Sequence, residues 1–199
     1  MIIYLHGFNS SPQSGKAQHL KRYLDGKGKG AEFACPQLPH WPDEAVAVVE
    51  AEIVRREQIT LVGSSLGGFY ATWLAEKHGV RAVLINPAIE PHVGLRAYLG
   101  PQQAFRAGER YELTEEHLRQ WKDLFVTRVH PERYLLLVET GDEVLDYRAA
   151  VRKYKGAKQV VVQGGDHSLA SFPEQIPLIM EFAGMDRTTS APSRPRFRL

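Results

Sequence analysis

The chain has 199 residues, of which 43% are hydrophobic and 24% are charged, and its formal net charge is +2. These values are typical of a single globular domain, because the length allows one sizeable core but not two. Four of the 25 bases lie in residues 187–199, which contain no acid, so the rest of the chain is slightly acidic. A basic body that would bind nucleic acid is therefore excluded, and we expect residues 187–199 to form a disordered basic tail.

Cysteine content and hydropathy limit further the class of protein to which the chain can belong. The single cysteine, Cys35, excludes a disulfide framework and is expected to be a buried core thiol. No apolar run approaches the ~18 residues of a membrane span, and the start MIIYLHG lacks the basic residues of a signal peptide. We therefore expect a cytoplasmic protein.

Short apolar runs alternate with helical patterns along the chain. The runs are rich in β-branched residues and cover residues 2–5, 32–35, 59–62, 82–85, 134–138 and 159–162. Because they are apolar throughout rather than alternating, they are typical of parallel strands that are covered on both faces.

Six helical patterns lie between or after these runs. The first is predicted to begin at Ser11, with Pro12 at the first helical position. The others cover residues 42–56, a stretch from Leu66, residues 114–125, residues 146–154 and a stretch from Ser171, where Pro177 leaves a later start open. This order predicts an α/β fold in which helices flank a mostly parallel sheet of about six strands, with residues 1–186 as one domain.

The stretch GSSLG follows the third apolar run and precedes an amphipathic helix. It fits the pattern G-x-S-x-G with Ser65 at its centre, whereas Ser64 lacks glycines two residues away. A turn this tight between strand and helix requires small residues on both sides of the serine, a demand that Gly63 and Gly67 meet. The motif therefore predicts Ser65 as a nucleophile.

A serine hydroxyl needs a base within hydrogen-bond reach and an acid that orients the base. The carboxyl ends of parallel strands meet at one edge of a sheet, and two later runs lead into TGD and GGDH. Asp142 and His167 follow Ser65 there in the order that this motif requires. Among the neighbouring acids, Glu143 is expected to face away, Asp146 to cap the next helix and Asp166 to brace its loop.

The loop after the first run is the predicted second half of the site. The backbone N–H groups of Phe8 and Leu66 are expected to form an oxyanion hole. His6 is expected to be a structural hydrogen-bonding residue rather than the base. His6, Phe8, Asn9 and Trp41 are the predicted substrate-binding residues.

The other histidines have simpler interpretations. Those on helical patterns or at their ends are expected at the surface, namely His19, His78, His117 and His130. His40 and His92 lie in predicted loops and are candidates for lining a pocket. No metal-binding C-x-x-C or H-E-x-x-H pattern, dinucleotide-binding glycine pattern or P-loop occurs, so we expect no cofactor.

Residues 87–130 are longer than one crossover helix requires, so we expect a small helical insert that caps Ser65. Its larger side chains either line an acyl site or form the insert's own core, and both interpretations remain open. A cap of this size leaves a modest pocket, which favours small acyl groups. The side chains concerned are Leu95, Tyr98, Leu99, Phe105 and Tyr111.

Five segments resemble the YqiA/YcfP group of small esterases in the α/β-hydrolase superfamily, over roughly residues 1–183. They are MIIYLHGFNSSP, LVGSSLGGFYATWLAEKHG, LINPAI, TGDEVLDYRAAVRKY and GGDHSL. The resemblance implies a compact α/β-hydrolase fold and esterase activity on short acyl esters, with acyl-CoA thioesters as further substrates. It also implies that Ser65 is the nucleophile, Asp142 the acid and His167 the base, with Phe8 and Leu66 as backbone donors.

Two other functions remain open. A non-catalytic binding protein with this fold is one, although such proteins usually lose a member of the triad. A hydrolase that acts on a C–C or peptide bond is the other, because a triad activates a nucleophile without choosing the bond.

Overall fold

The structure is a computed structural model that describes residues 1–104 and 109–186. The predicted tail at 187–199 and Phe105 of the insert lie outside the described residues. The described strands are β1 (Ile2–Leu5), β2 (Phe33–Ala34), β3 (Thr60–Ser64), β4 (Arg81–Ile85), β5 (Gly100–Gln103), β6 (Arg110–Leu113), β7 (Tyr134–Glu139) and β8 (Lys158–Val162). The described helices are α1 (Gly15–Gly26), α2 (Pro42–Ile53), α3 (Leu66–His78), α4 (Pro91–Gly94), α5 (Glu115–Asp123), α6 (Tyr147–Lys153) and α7 (Phe172–Phe182).

Six of these strands form one parallel sheet in the order β2-β1-β3-β4-β7-β8. Helices cover both of its faces, which confirms the predicted α/β class. Alternate residues of each strand point to opposite cores: Ile3 and Leu5 pack with α2, α3 and α5, whereas Ile2 and Tyr4 pack with α1 and α7. This packing explains why the strands are apolar throughout.

All six predicted helices are present, although most of their ends are shifted. The first begins at Gly15 rather than at Ser11, because Ser11 and Pro12 lie in a turn in which the Ser11 hydroxyl accepts a hydrogen bond from the N–H of Gln13. The prediction for Asp146 is confirmed: it caps α6 and accepts a bond from Arg148 N–H at 3.0 Å. The last helix begins at Phe172 and continues through Pro177.

The insert contains an element that its sequence did not predict. Between α4 and α5, β5 and β6 pair as an antiparallel hairpin, so the insert is not purely helical. Asn9 joins this hairpin to the main domain by donating to Gln102 Oε1 at 3.0 Å and accepting from the Tyr111 hydroxyl at 2.7 Å. These contacts are distant in sequence, and for that reason local patterns do not reveal them.

Besides the Asn9 contacts, a cluster of four stacked rings connects the insert to the main domain. His117 was expected at the surface, but it is 0% exposed and lies on Trp41 with ring centroids 3.8 Å apart. Its Nδ1 accepts from Thr114 N–H at 3.1 Å, so its Nε2–H donates to His40 Nδ1 at 3.0 Å. His40 in turn stacks on Tyr111. Burial, and secondarily His40, lower the pKa of His117 to about 4.

Cys35 is half-buried against the core shared by α1 and α7, and burial raises the pKa of its thiol to about 12. Among the helices that the structure describes, none combines the length and the hydropathy that crossing a membrane would need.

Candidate active site

The turn between β3 and α3 holds Ser65 in a strained backbone conformation. Its φ is 55° and its ψ is −120°, a combination that residues other than glycine rarely adopt. Three backbone hydrogen bonds secure it: Ser65 N–H donates to Ile85 O at 3.0 Å, and its carbonyl accepts from Gly68 N–H at 2.9 Å and Ala88 N–H at 3.0 Å. The serine hydroxyl is thereby projected above the carboxyl edge of the sheet.

The glycines around Ser65 are required by close backbone approach. A Cβ on Gly63 would overlap the carbonyl of Gly67, and a Cβ on Gly67 would overlap the carbonyl of Leu5. A Cβ on Gly68 would lie 2.7 Å from the Cβ of Pro87. The turn therefore needs hydrogen at all three positions.

Three side chains from three strand ends meet at this edge. Ser65 Oγ lies 3.1 Å from His167 Nε2, and His167 Nδ1 lies 2.8 Å from Asp142 Oδ2 and 3.0 Å from Oδ1. An Nδ1–H donated to Asp142 leaves Nε2 free to accept the hydroxyl proton of Ser65. The Asp142 side chain is 1% exposed, whereas that of His167 is 23% exposed. This is the geometry of a nucleophile, a base and an orienting acid.

The neighbouring acids occupy different positions. Asp142 Oδ1 also accepts from Val144 N–H at 2.9 Å and from Leu145 N–H at 2.8 Å, which fixes its carboxylate below the imidazole. Glu143 accepts from the backbone N–H of His167 at 3.0 Å rather than from its ring. Asp166 accepts from Ser168 N–H at 2.8 Å and so braces its own loop.

Phe8 and Leu66, the two predicted backbone donors, both lie close to Ser65 in the chain or in space. Leu66 is the first residue of α3, so its N–H has no acceptor within the helix. Phe8 follows Gly7, where a Cβ would lie 3.3 Å from Ser65 Cβ and 3.8 Å from Ser65 Oγ. Both residues border the cavity above the hydroxyl.

That cavity has a volume of about 460 Å³ and is lined by both Ser65 and His167. Leu95 and Tyr98 of the insert form part of its apolar wall, and the start of α1 forms a polar wall that includes Lys16. Lys16 Nζ donates to the carbonyl of Ser168 at 2.7 Å, and burial lowers the pKa of this lysine.

Of the four predicted substrate-binding residues, Phe8 lines the cavity and His6, Asn9 and Trp41 do not. His6 is buried, its Nδ1 donating to Gly7 O and its Nε2 accepting from Leu38 N–H, each at 3.1 Å. Burial lowers the pKa of His6, which favours the neutral ring. Asn9 and Trp41 contact the insert instead, and a role of these three residues in substrate binding stays a prediction.

The structure places the larger side chains of the insert in different surroundings. Leu95 and Tyr98 line the cavity, whereas Tyr111 packs against His40 and Leu99 lies at the surface. His40 belongs to the ring stack and His92 packs edge-on against Phe125, so neither lines the cavity beside Ser65.

One residue near the site was not predicted at all. Glu139 is the last residue of β7, one position beyond the predicted end of that strand, and it is 1% exposed. The available signal was a single acid at the carboxyl end of an otherwise apolar run, where a buried charge needs several hydrogen bonds.

Comparison with known proteins agrees with this fold. The model of a family described as "Uncharacterised protein family (UPF0227)", which includes the YqiA/YcfP group, matches residues 1–184 and confirms the predicted resemblance. A UPF0227 protein from Serratia proteamaculans (strain 568) is 22% identical over 149 residues, which are 73% of this chain and 77% of the relative.

Two solved structures show the same architecture. The mouse alpha/beta hydrolase domain-containing protein 10 has a TM-score of 0.72 and 15% identity, covering 92% of this chain and 89% of its own. Est1E from Butyrivibrio proteoclasticus, solved with ferulic acid bound, has a TM-score of 0.65 and 17% identity, covering 92% and 85%. The chain therefore has an α/β-hydrolase fold.

Proposed function

We propose that this chain, which belongs to the UPF0227 family, is a serine hydrolase that cleaves short-chain acyl esters and acyl-CoA thioesters through an acyl-enzyme. The observation that carries the proposal is the contact series from Ser65 Oγ through His167 to Asp142, at 3.1 Å and 2.8 Å. A strained serine in hydrogen-bond contact with an imidazole, which a buried carboxylate orients, is the arrangement that activates a hydroxyl. The proposal includes a cytoplasmic location.

In the first half of the proposed reaction, Ser65 Oγ attacks the carbonyl carbon of the ester, and its proton moves to His167 Nε2. Asp142 stabilises the imidazolium that forms. The electron pair of the carbonyl bond moves to its oxygen, where the N–H groups of Phe8 and Leu66 stabilise the negative charge. Collapse of this intermediate breaks the bond to the alcohol or thiol, which leaves with the proton from His167.

The second half releases the acid. Water loses a proton to His167 Nε2 as it attacks the acyl-enzyme carbonyl, and the same two amides stabilise the second oxyanion. Ser65 Oγ then leaves and regains the proton from His167. Asp142 remains ionised in both halves, because its role is to hold the imidazole in one tautomer and to stabilise its positive form.

The cavity supports the proposed acyl preference. Leu95 and Tyr98 of the insert offer apolar contacts to an acyl chain, while the volume of about 460 Å³ is modest. Est1E shares the fold at only 17% identity, so the proposed substrate class rests on the site itself.

The test is labelling by a fluorophosphonate probe together with turnover of acyl esters and acyl-CoA thioesters of increasing chain length. Wild type should react with the probe and should hydrolyse a butyrate ester faster than a palmitate ester. Ser65→Ala should lose both properties, and Ser64→Ala, the matched control one residue away, should remain reactive at Ser65. Undiminished turnover in Ser65→Ala would contradict the assignment, and absence of labelling in wild type would favour a non-catalytic protein.

A further inference from the structure

The carboxylate of Glu139 lies beneath the segment that carries His167, here called the histidine loop (residues 163–171). It accepts three backbone hydrogen bonds from this loop: Asp166 N–H at 2.8 Å, Ala170 N–H at 3.0 Å and Ser171 N–H at 2.8 Å. The donors come from both sides of His167. One side chain of β7 thus holds both ends of the segment that presents the imidazole.

The loop is shaped around this carboxylate. Gly165 has a φ of 70°, and a Cβ there would overlap the carboxylate of Glu139. Ser171 is the residue that precedes α7, so two of the three donors lie at the N-terminal end of that helix, where a negative charge is favoured. Hydrogen bonds from the loop lower the pKa of Glu139 against the opposing effect of burial.

Asn86 connects Glu139 to the same loop from the neighbouring strand. Its Oδ1 accepts from the backbone N–H of Glu139, and its Nδ2 donates to the carbonyls of Asp166 and His167, all at 3.1 Å. Asn86 follows β4 and has a φ of 39°. The loop is therefore tied to the ends of two adjacent strands of the sheet that also carries Ser65.

We propose that Glu139 is a positioning residue that holds the imidazole of His167 in line with Ser65 by anchoring the backbone of the histidine loop. This inference rests on the proposed function. Glu139 acts through backbone N–H groups and does not touch the reacting atoms. Its carboxylate suits the task because it can accept several bonds at once, whereas a carboxamide has one acceptor oxygen and turns an N–H₂ group toward the loop donors. A displacement of about 1 Å at a catalytic group can cost about 100-fold in rate.

The test compares Glu139→Gln with wild type and with Glu132→Gln, an exposed glutamate just before the opposite end of β7. For Glu139→Gln we expect kcat on a butyrate ester to fall by about 10- to 100-fold with KM within twofold, because the apolar wall that binds the acyl group is unchanged. Glu132→Gln should match wild type. Glu139→Asp keeps the charge on a shorter side chain, so its kcat should fall less than that of Glu139→Gln. It also provides a folded variant if Glu139→Gln does not fold.

A readout that does not need turnover separates this proposal from the proposed function. In proton NMR spectra the His167 Nδ1–H, held by Asp142, should be visible in wild type and lost or broadened in Glu139→Gln, and the amides of Ala170 and Ser171 should exchange faster. An unchanged Nδ1–H signal, whatever happens to kcat, would overturn the positioning role. If wild type hydrolyses no ester, the proposed function fails, and the NMR comparison alone decides whether Glu139 positions the imidazole.

Discussion

Gly67 lies directly against the carbonyl oxygen of Leu5, so closely that a Cβ on Gly67 would overlap that oxygen. Leu5 ends β1 and Gly67 is the second residue of α3, so the turn that carries Ser65 is wedged against the neighbouring strand. The strain at Ser65 is therefore held by contacts from outside its own segment.

Gly67→Ala should destabilise the fold by about 2–4 kcal/mol, because the added methyl group must displace backbone rather than a flexible side chain. The measurement is the midpoint of urea unfolding. Gly26→Ala is the matched control: Gly26 ends α1, and a Cβ there meets nothing within 4 Å. That control should be neutral or stabilising by about 0.4–1 kcal/mol. Equal midpoints for the two variants would show that the turn is not tightly packed.

Asp142→Asn should lower kcat by about 10³- to 10⁴-fold while the fold is kept, because an amide favours the wrong tautomer of His167 and does not stabilise its positive form. Steady-state kinetics on a short ester, with thermal unfolding as the check on folding, make the measurement. Asp146→Asn carries the same substitution at the cap of α6 and should retain activity, since asparagine caps a helix nearly as well. A comparable loss in both variants would point to a structural cause.

Leu95→Trp should shift the acyl preference toward shorter chains, because the larger ring occupies part of the cavity beside Ser65. The ratio of kcat/KM for hexanoate and acetate esters measures this, and we expect that ratio to fall about tenfold, in the range that one or two methylene contacts supply. Val93→Trp, also in the insert but 61% exposed and outside the cavity lining, should leave the ratio unchanged. An unchanged ratio in Leu95→Trp would place the acyl chain elsewhere.

His117 should make the fold sensitive to acid. Its pKa falls from 6.5 to about 4 on folding, so between these values the unfolded chain binds more protons and stability rises with pH. The contribution of His117 to the free energy of unfolding is complete above its pKa in the unfolded chain. This contribution should fall by about 2 kcal/mol between pH 7 and pH 5. Urea unfolding should show that the free energy of unfolding changes less between the two pH values for His117→Gln than for wild type. The exposed control His19→Gln should behave like wild type. An equal pH dependence in all three proteins would contradict the role of the buried ring.

The sheet, and the meeting of Ser65, Asp142 and His167 at one edge of it, could be predicted because their signals are local. Each apolar run is a strand, and Ser65, Asp142 and His167 each stand just beyond a strand, in turns whose glycines are visible in the sequence. The hairpin of the insert could not be predicted, because it depends on Asn9, which lies far away in the chain. His117 was placed at the surface for a similar reason: helical spacing does not show that Trp41 and His40 cover its ring.

The start of α1 and the role of Glu139 show a second limit. Proline after serine fits both a helix start and a turn, and the local sequence does not distinguish the two. Glu139 looks like the end of a strand until the loop that follows β8 is folded over it. Its partners are backbone N–H groups, so the residue types of the three donors do not mark the contact beforehand.

The order of the strands along the chain also determines when each site residue is synthesised. Ser65 follows the third strand to be synthesised, whereas His167 follows the last strand of the sheet, which pairs with β7 at its edge. On the proposed mechanism, a growing chain carries its nucleophile long before it has a base. The hydroxyl gains its base only when β8 has paired with β7 and has brought His167 to Ser65, so ester hydrolysis during refolding would report the completion of that step.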